Sequence, residues 1–244
     1  MEAGRAKIRV PSSEAETANK LTIVRRSPFG DLPPASLTAL ASLGWVERLP
    51  RRHRLVSQGE TPKNLLLLGA GRVKLERRTA TRMLPLGHRG PGQIVGETAV
   101  AGGHMATESA LVVDPVEAVA LPMVGFRKLL ASDPFLRGAM TAALVSIQQA
   151  TNARLVSLLL NGVEARLVDF LLEAGGRFGT AHPEGQLIAA PFTHADIAIL
   201  IGSTRETVTL LLGKLKRAGL LGFERRRMII RDRGALAQHA AARE

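Results

Sequence analysis

The stretch GSTRETVTLLLGKL (residues 202–215) places a glycine, two hydroxyl residues and an Arg-Glu pair directly ahead of a leucine-rich helical pattern. The helix dipole favours an acid in the first turn and disfavours a cation there, so helix stability explains Glu206 but not Arg205. Upstream, Thr193 begins another short helix with an acid three residues later, as in a capping box. Two short helices joined by a tight turn at Gly202 predict a helix-turn-helix unit.

The residues inside this unit have the sizes and polarity that two crossing helices need. Ala198 is small where the helices approach each other, and Gly202 has no Cβ to obstruct the turn. A second capping box, from Ser203 to Glu206, predicts where the second helix begins. Apolar side chains are expected to lock the helices together at Ile197, Ile201, Val208 and Leu211. The polar residues on the first turns of the second helix are left facing outward.

The position of Arg205 is explained if this helix enters the major groove of DNA. The fork of a guanidinium matches the two acceptors on a guanine edge, and Glu206 can accept a hydrogen bond from a cytosine amino group. The hydroxyls of the same turn suit phosphate oxygens. We therefore predict that Arg205 and Glu206 read bases, with Thr209 beside them, and that Ser203 and Thr204 contact phosphates.

A basic hairpin follows the second helix. The segment LLGFERRRMIIRDRGAL (220–236) indicates two short strands that turn near Glu224–Arg227. A hairpin directly after a recognition helix is typical of a winged helix-turn-helix. Lys214 and the hairpin arginines are predicted to contact phosphates without reading sequence. These arginines are Arg225, Arg226 and Arg227.

The composition agrees with a DNA partner and excludes several other classes. The 244 residues carry a formal net charge of +12, with basic excess in 61–100 and 214–233. There is no cysteine, which excludes disulfides, thiolate metal sites and cysteine-ligated iron–sulfur clusters. No apolar run suits a membrane span, and the N-terminus lacks the apolar core of a signal peptide. No catalytic constellation appears at a usable spacing, so we expect a cytoplasmic protein that is not an enzyme.

The rest of the chain divides into segments of different pattern. Residues 1–28 are polar and aperiodic and are predicted to form a flexible extension. A short helix is expected from Pro33 to Leu43. Short apolar runs with glycine-bearing turns, from Trp45 to Met123, indicate an antiparallel β-domain. The clearest hairpin signal is the turn Gly69–Gly71 between two apolar runs.

A long helix is predicted after Asp133 and Pro134, which suit the N-cap and the first helical position. Along it, apolar and small residues recur close to a heptad spacing. The pattern fits either a helix packed on its own sheet or a seam between two copies of the chain. We favour the dimer seam, formed by Leu136, Met140, Ala143, Ile147, Ala150 and Arg154.

In their order and spacing, four motifs resemble the cyclic-AMP receptor/fumarate-nitrate regulator (CRP/FNR) family of bacterial transcription factors. They are QGE (58–60), GRVKL (71–75), PGQIVGE (91–97) and GSTRETV (202–208). The resemblance implies an α+β fold with an N-terminal cyclic-nucleotide-binding-like β-roll, a dimerisation helix and a C-terminal winged helix-turn-helix. With the flexible extension, the implied domains run over 1–28, 29–131, 132–160 and 161–244.

The resemblance also implies roles for single residues of the helix-turn-helix. Thr193 and Thr204 match phosphate contacts of the family, and we expect His194 to join them. In the cyclic-AMP branch, a third base-reading arginine lies one helical turn after the first. Leu210 stands at that place here, where it can pack on a thymine methyl group.

The effector pocket departs from the nucleotide-binding branch of the family. Gly96 and Glu97 match it, but Thr107 and Glu108 replace the Arg-Ser pair that grips the cyclic phosphate. An acid there repels a phosphate, and no cation takes the place of the arginine. Thr151, on the long helix, does match a base-contacting threonine. We therefore expect no cofactor: a cyclic nucleotide is not expected, although the sequence does not exclude one.

The sequence thus predicts a homodimeric transcriptional regulator that binds a pseudo-palindromic site on double-stranded DNA without cyclic AMP. The alternative is a regulator in which a cyclic nucleotide or another small ligand binds the β-roll and switches on DNA binding. RNA polymerase is a further candidate partner. A nucleotide-sensing module without specific DNA binding is a different class, and the winged helix-turn-helix argues against it.

Overall fold

The N-terminal domain, called the sensor domain below, is built on an antiparallel sheet. The computed structural model describes residues 14–102, 104–189, 192–225 and 227–241. The strands of the sheet are β1 (Trp45–Leu49), β2 (Arg54–Val56), β3 (Asn64–Arg78), β4 (Met83–Arg89), β5 (Ile94–Val95) and β6 (Ser109–Pro122). Their order is β1-β6-β3-β4, with β2 paired to β6 and β5 paired to β3. The predicted antiparallel β-domain is therefore confirmed.

The apolar run Leu65–Leu68 lies at the centre of this sheet because both of its faces are buried. Successive side chains of a strand point to opposite faces. Leu65 and Leu67 accordingly pack against helices on one side, whereas Leu66 and Leu68 pack with other strands on the opposite side. The sequence of a strand that is covered on both faces is typically a continuous apolar run.

Four helices cover the first of these faces. They are α1 (Glu14–Arg26), α2 (Pro34–Leu43), α3 (Met123–Ser132) and the first half of α4 (Pro134–Leu160). The flexible extension predicted for 1–28 is wrong from Glu14 onward, because Ile23 and Val24 of α1 are buried against this core. Because only a few apolar side chains anchor α1, its sequence shows no helical periodicity that would predict it. Residues 1–13 lie outside the described residues.

The hairpin predicted at Gly69–Gly71 is also wrong. β3 continues through these residues as one strand, and its register against β6 shifts there. Such β-bulges bend a strand without reversing it. Gly71 has a φ of +80°, and a Cβ there would collide with the carbonyl oxygen of Pro115, so the position requires glycine. The chain reverses instead between β3 and β4.

The long helix α4 begins as predicted. The Asp133 carboxylate accepts hydrogen bonds from the backbone N–H groups of Phe135, at 2.9 Å, and Leu136, at 3.1 Å. Pro134 occupies the first helical position, where its missing N–H costs nothing.

The dimer seam predicted along α4 is wrong for its first half. Leu136, Met140 and Ala143 are buried in the core of their own sensor domain, with Ile147 packed at its edge. Ala150 is exposed. The periodicity of a helix shows that an apolar face exists, but which partner covers that face depends on residues far away in the sequence.

The C-terminal domain has a single core between helices and a second sheet. Its elements are α5 (Val163–Phe178), β7 (Gly179–His182), β8 (Gly185–Ile188), α6 (His194–Leu200), α7 (Arg205–Arg217), β9 (Leu221–Glu224), β10 (Arg227–Ile230) and α8 (Arg233–Ala241). The strands are antiparallel in the order β7-β8-β10-β9. Strands β9 and β10 form the predicted hairpin, called the wing below. The α+β fold class is confirmed.

Two kinds of feature are not found in the described part of the chain. None of its helices combines the length and the apolar character of a membrane span. Within the same residue ranges, no three side chains of His, Cys, Asp or Glu come together as ligands of one metal ion.

Candidate nucleic-acid interface and sensor pocket

The turn between α6 and α7 has the geometry of a helix end that is closed by glycine. Gly202 lies in the left-handed backbone region with a φ of +62°. Its N–H donates to the Ile199 carbonyl at 3.3 Å, and the Ser203 N–H donates to the Ala198 carbonyl at 2.8 Å. These two bonds are the pair of the Schellman motif, which ends a helix. The tight turn predicted at Gly202 is confirmed.

The second helix, α7, begins one residue later than the sequence pattern predicts. Ser203 takes part in ending α6, so the predicted capping box Ser203–Glu206 is wrong. Thr204 is the N-cap, and its hydroxyl accepts a hydrogen bond from the Thr207 N–H at 3.2 Å. Arg205 is thereby the first residue of α7, at the positive end of the helix dipole.

The capping box at the start of α6 is confirmed. The Thr193 hydroxyl accepts a hydrogen bond from the Asp196 N–H at 3.0 Å, and the Asp196 carboxylate accepts one from the Thr193 N–H at 3.3 Å. His194 Nδ1 lies 2.8 Å from the Thr209 hydroxyl, which connects the first turns of α6 and α7. Thr193, His194 and Thr209 therefore lie together on one surface.

The first turns of α7 bury apolar side chains and expose polar ones. Val208 and Leu212 are buried in the core of the domain. Arg205 and Glu206 are exposed, and Leu210 is 67% exposed although it is apolar. The arrangement exposes a guanidinium, a carboxylate and an aliphatic group on neighbouring turns, and groups of these kinds can contact base edges in a major groove.

The wing carries exposed arginines, whereas Lys214 is engaged elsewhere. Arg225, in the turn of the wing, and Arg227, at the start of β10, are exposed. Arg226 lies outside the described residues. The Lys214 ammonium forms an ion pair with Glu164 of α5 at 3.0 Å, so the prediction of a phosphate contact there needs correction. This ion pair joins the last turn of α7 to α5.

An ion pair holds the C-terminal domain against the sensor domain. Lys74 Nζ, on β3, lies 2.8 Å from Asp196 Oδ1 at the start of α6. Burial acts to raise the pKa of Asp196, but the hydrogen bonds from Lys74 and Thr193 outweigh burial, and the pKa is lowered. The same carboxylate thus caps α6 and binds the sensor domain.

Aromatic rings pack beside this ion pair. His88, the cross-strand neighbour of Lys74, contacts Phe192 edge-to-face with ring centroids 4.6 Å apart, and Phe178 at 6.3 Å. Burial lowers the pKa of His88 to about 4; Asp196 opposes this effect and nearby cations add to it. His88 is therefore neutral near pH 7. Its Nδ1 has no hydrogen-bond partner among the described residues.

Two arginines hold the helix-turn-helix from the side of α4 and α5. Arg154 donates to the Leu200 carbonyl and to the Leu86 carbonyl, both at 2.7 Å, so its assignment to the dimer seam is wrong. Arg166 donates to the Ile201 carbonyl at 2.7 Å. Arg154 thus connects the two domains, whereas Arg166 ties α5 to the end of α6. Neither contact could be predicted from the sequence, because the acceptors are backbone carbonyl groups, which every residue has.

The sensor pocket is nearly filled by its own side chains. Arg89 Nη2 lies 3.2 Å from Glu97 Oε1, and each side chain is 15% exposed. Burial raises the pKa of Glu97, and Arg89 opposes that rise. A cavity of about 20 Å³ remains. That volume suits roughly one water molecule, whereas pockets for small organic ligands measure about 300–1,000 Å³.

The other residues predicted for this pocket lie at its edges. Gly96 has a φ of +97° and forms the turn before Glu97. Thr107 donates a hydrogen bond to Glu108, which lines the pocket. Thr151 is exposed on α4 and lines an adjoining cleft of about 770 Å³ between α4, β4 and α5. This cleft shares three lining residues with the sensor pocket, Leu75, Arg89 and Glu108.

Comparisons with known proteins agree with this architecture. The family model described as cyclic nucleotide-binding domain matches residues 46–133, and the model described as Crp-like helix-turn-helix domain matches residues 165–239. The first covers the sheet of the sensor domain, and the second covers the core of the C-terminal domain. The chain belongs to the CRP/FNR family. The expectations that the sequence motifs raised about family and fold are thereby confirmed.

Relatives of this CRP/FNR chain are regulators of transcription. The CRP-like cAMP-activated global transcriptional regulator of Mycobacterium tuberculosis is 28% identical over 219 residues, covering 89% of this chain and 98% of the relative. The global nitrogen regulator of Synechococcus elongatus is 29% identical over 196 residues, covering 79% and 88%. The structure of FixK2 from Bradyrhizobium japonicum has a TM-score of 0.70 at 20% identity, covering 80% and 96%. This CRP/FNR chain is a transcriptional regulator with a helix-turn-helix DNA-binding domain.

Proposed function

We propose that this CRP/FNR protein recognises a specific sequence of double-stranded DNA through the first turns of α7. The observation that carries the proposal is the division of α7: its apolar side is buried, whereas Arg205, Glu206 and Leu210 are exposed. Arg205 binds the two acceptors of a guanine, and Leu210 packs on a thymine methyl group. The hydroxyls at the starts of α6 and α7, together with the wing arginines, hold phosphates.

The regulator acts as a homodimer on a pseudo-palindromic site. The support is an apolar surface of α4 that its own protomer leaves uncovered. Its large exposed side chains are Leu144, Val145, Leu155, Val156, Leu159 and Leu160. A surface of this kind on a long helix is typical of a helix–helix interface. Two copies joined along α4 place their α7 helices in successive major grooves, about 34–36 Å apart.

DNA binding in this proposal does not require cyclic AMP or any other cofactor. The support is the ion pair between Arg89 and Glu97, which occupies the pocket and leaves a cavity of about 20 Å³. Glu108 adds a negative charge where a cyclic phosphate would have to lie. The protein works in the cytoplasm, with RNA polymerase as its further partner at the promoter.

A ligand-dependent regulator is the second candidate function, and one observation favours it. The cleft beside Thr151, at about 770 Å³, has the size of a ligand pocket. The Mycobacterium tuberculosis relative is named as activated by cAMP. In this alternative, a small ligand enters the cleft and changes how the DNA-binding domain packs on the sensor domain.

Selection from random duplex DNA tests both candidates. The purified protein is offered the same library alone, with cyclic AMP and with cyclic GMP. Recovery of the same palindrome in all three selections supports the first candidate. Recovery of a palindrome only when a nucleotide is present supports the second. Arg205→Ala should lose the preference for one guanine in each half-site, whereas the control Arg217→Ala, at the far end of α7, should keep it. An unchanged palindrome with Arg205→Ala contradicts base reading by α7.

A further inference from the structure

Two backbone carbonyl groups, one in each domain, lie outside the regular hydrogen bonding of their elements. The Leu200 carbonyl ends α6, where the bonds of the Schellman turn use the two carbonyls before it. The Leu86 carbonyl belongs to a β-bulge: Pro85 and Gly87 of β4 pair with consecutive residues of β3, so Leu86 between them is the extra residue. Both carbonyls are therefore available to accept a hydrogen bond from a side chain.

A single guanidinium of α4 bridges these two carbonyls, in a contact called the Arg154 bridge below. Arg154 donates from Nη1 to the Leu86 carbonyl at 2.7 Å, and from Nη2 and Nε to the Leu200 carbonyl at 2.7 and 3.1 Å. Burial lowers the pKa of Arg154, and Glu173 opposes this effect. The planar fork of an arginine fixes the directions of its hydrogen bonds, which the ammonium group of a lysine does not. The bridge therefore fixes the end of α6 relative to both α4 and β4.

The last turns of α4 contact the helix-turn-helix on one side and carry exposed apolar residues on another. Leu158, one turn after Arg154, packs against the turn between α6 and α7, since a Cβ on Gly202 would lie 2.9 Å from the Leu158 Cδ2 atom. Leu155 and Leu159, which follow these two residues in sequence, are exposed and belong to the surface proposed above as the dimer interface. Only the width of α4, about 10 Å, thus lies between the dimer interface and the helix-turn-helix.

The helix-turn-helix moves as one body because its two helices are locked together. Ile197 of α6 and Val208 of α7 are buried in one core, and His194 Nδ1 lies 2.8 Å from the Thr209 hydroxyl. The 13 residues of α7 make it about 20 Å long. A tilt of about 10° displaces the far end of such a helix by about 3.5 Å, which is close to the rise of one base pair. A small change at the Arg154 bridge is therefore large on the scale of a DNA site.

We propose that the Arg154 bridge sets the separation of the two α7 helices in the dimer, and so determines which spacing between half-sites the protein accepts. This inference rests on the proposed function, since it requires a homodimer on a pseudo-palindromic site. Arg154 touches no base and is a positioning residue. Without the bridge, the helix-turn-helix can tilt on α4, so the dimer loses its preference for one spacing but keeps its preference for the half-site sequence.

The first measurement is the affinity for duplexes that carry the selected half-sites at different spacings. One duplex has the selected spacing, and the others have one or two base pairs added or removed between the half-sites. Each base pair moves a half-site by about 3.4 Å and turns it by about 34–36°. Arg154→Leu removes the bridge, and Arg154→Lys keeps the charge without the fork.

The matched control is Arg137→Leu. Arg137 also lies on α4, and it also donates to two backbone carbonyls, those of Leu130 at 3.0 Å and Ala131 at 2.7 Å. Both acceptors belong to the sensor domain, so this variant loses the same kind of contact without releasing the helix-turn-helix.

The variants should differ in spacing preference and agree in base preference. The wild-type protein and the control should bind the selected spacing at least about 30-fold more tightly than a spacing changed by one base pair. Both Arg154 variants should bind these two spacings within about threefold of each other. The bases selected within each half-site should stay as in the wild-type protein.

The second measurement needs no DNA. The chain has no cysteine, so Arg217→Cys, at the exposed far end of α7, places one nitroxide label on each subunit. Pulsed electron paramagnetic resonance then gives the distribution of distances between the two labels of a dimer. The distribution should be about twice as wide with either Arg154 variant as with the wild-type background, because α7 samples several orientations. It should be unchanged with Arg137→Leu.

Several results overturn the inference. They are a spacing preference that survives in Arg154→Leu, one that Arg154→Lys restores, one that the control also loses, and label distances as narrow in the Arg154 variants as in the wild-type background. If Arg154→Leu does not fold, Arg154→Lys decides, and failure of both to fold would show a purely structural role. Failure of the wild-type protein to bind any palindrome is a different outcome. It would overturn the proposed function itself, so the two failures are distinguishable.

Discussion

Lowering the pH should loosen the contact between the two domains through His88. Burial lowers its pKa from 6.5 to about 4. Between these values the unfolded chain binds more protons than the folded one, so the free energy of unfolding falls as the pH drops. A pKa difference of one unit changes the free energy of unfolding by about 1.4 kcal/mol. Protonation of His88 therefore lowers this free energy by about 2 kcal/mol at pH 5, and the loss levels off at about 3 kcal/mol below pH 4.

The measurement is urea unfolding at about pH 8 and about pH 5, followed by the fluorescence of Trp45, the single tryptophan. The variant His88→Phe keeps an aromatic ring against Phe178 and Phe192 but cannot bind a proton. Its loss of stability between the two pH values should be smaller than that of the wild-type protein by about 2 kcal/mol. His53→Gln, at an exposed histidine, is the control and should behave as wild type.

Other titrating groups do not obscure this difference. The lowered pKa of Asp196 means that its stabilising effect is lost only below about pH 4, outside the measured range. The raised pKa of Glu97 acts with the opposite sign, because its burial becomes less costly as the pH falls, and it acts equally in both proteins. If His88→Phe loses as much stability as the wild-type protein, the histidine is not kept neutral by the domain contact, and the reasoning is refuted.

Three further substitutions test the interfaces. Leu159→Asp places a charge on the uncovered surface of α4, where Leu159 is 74% exposed. The variant should be a monomer in light scattering, and a variant that still dimerises would show that this surface is not the dimer interface. Lys74→Met removes one partner of Asp196, which should lower the free energy of unfolding by about 1–3 kcal/mol. It should also speed hydrogen exchange at the Ile197 amide, and unchanged exchange would show that the ion pair does not hold α6. Leu210→Arg should add a guanine preference worth about 1–3 kcal/mol in a binding-site selection, and no new preference would place Leu210 away from bases.

The elements predicted correctly from sequence are those with short-range signals. The Thr193 capping box, the Gly202 turn and the Asp133–Pro134 start of α4 each depend on backbone groups within four residues of the side chain concerned. The wing follows from two apolar runs on either side of a basic turn. The exposed residues of α7 could be named for the same reason, because the apolar residues of a short helix identify its buried face and thereby its exposed one.

By itself, then, the sequence determined the helix-turn-helix with its exposed Arg205, the wing and the start of α4. The tertiary structure alone decided which face of α4 is buried, that residues from Glu14 form α1, and that β3 runs through Gly71. It also paired Lys74 with Asp196 and placed Arg89 on Glu97. These features depend on groups that are close in space but distant along the chain, and local sequence patterns do not predict such contacts.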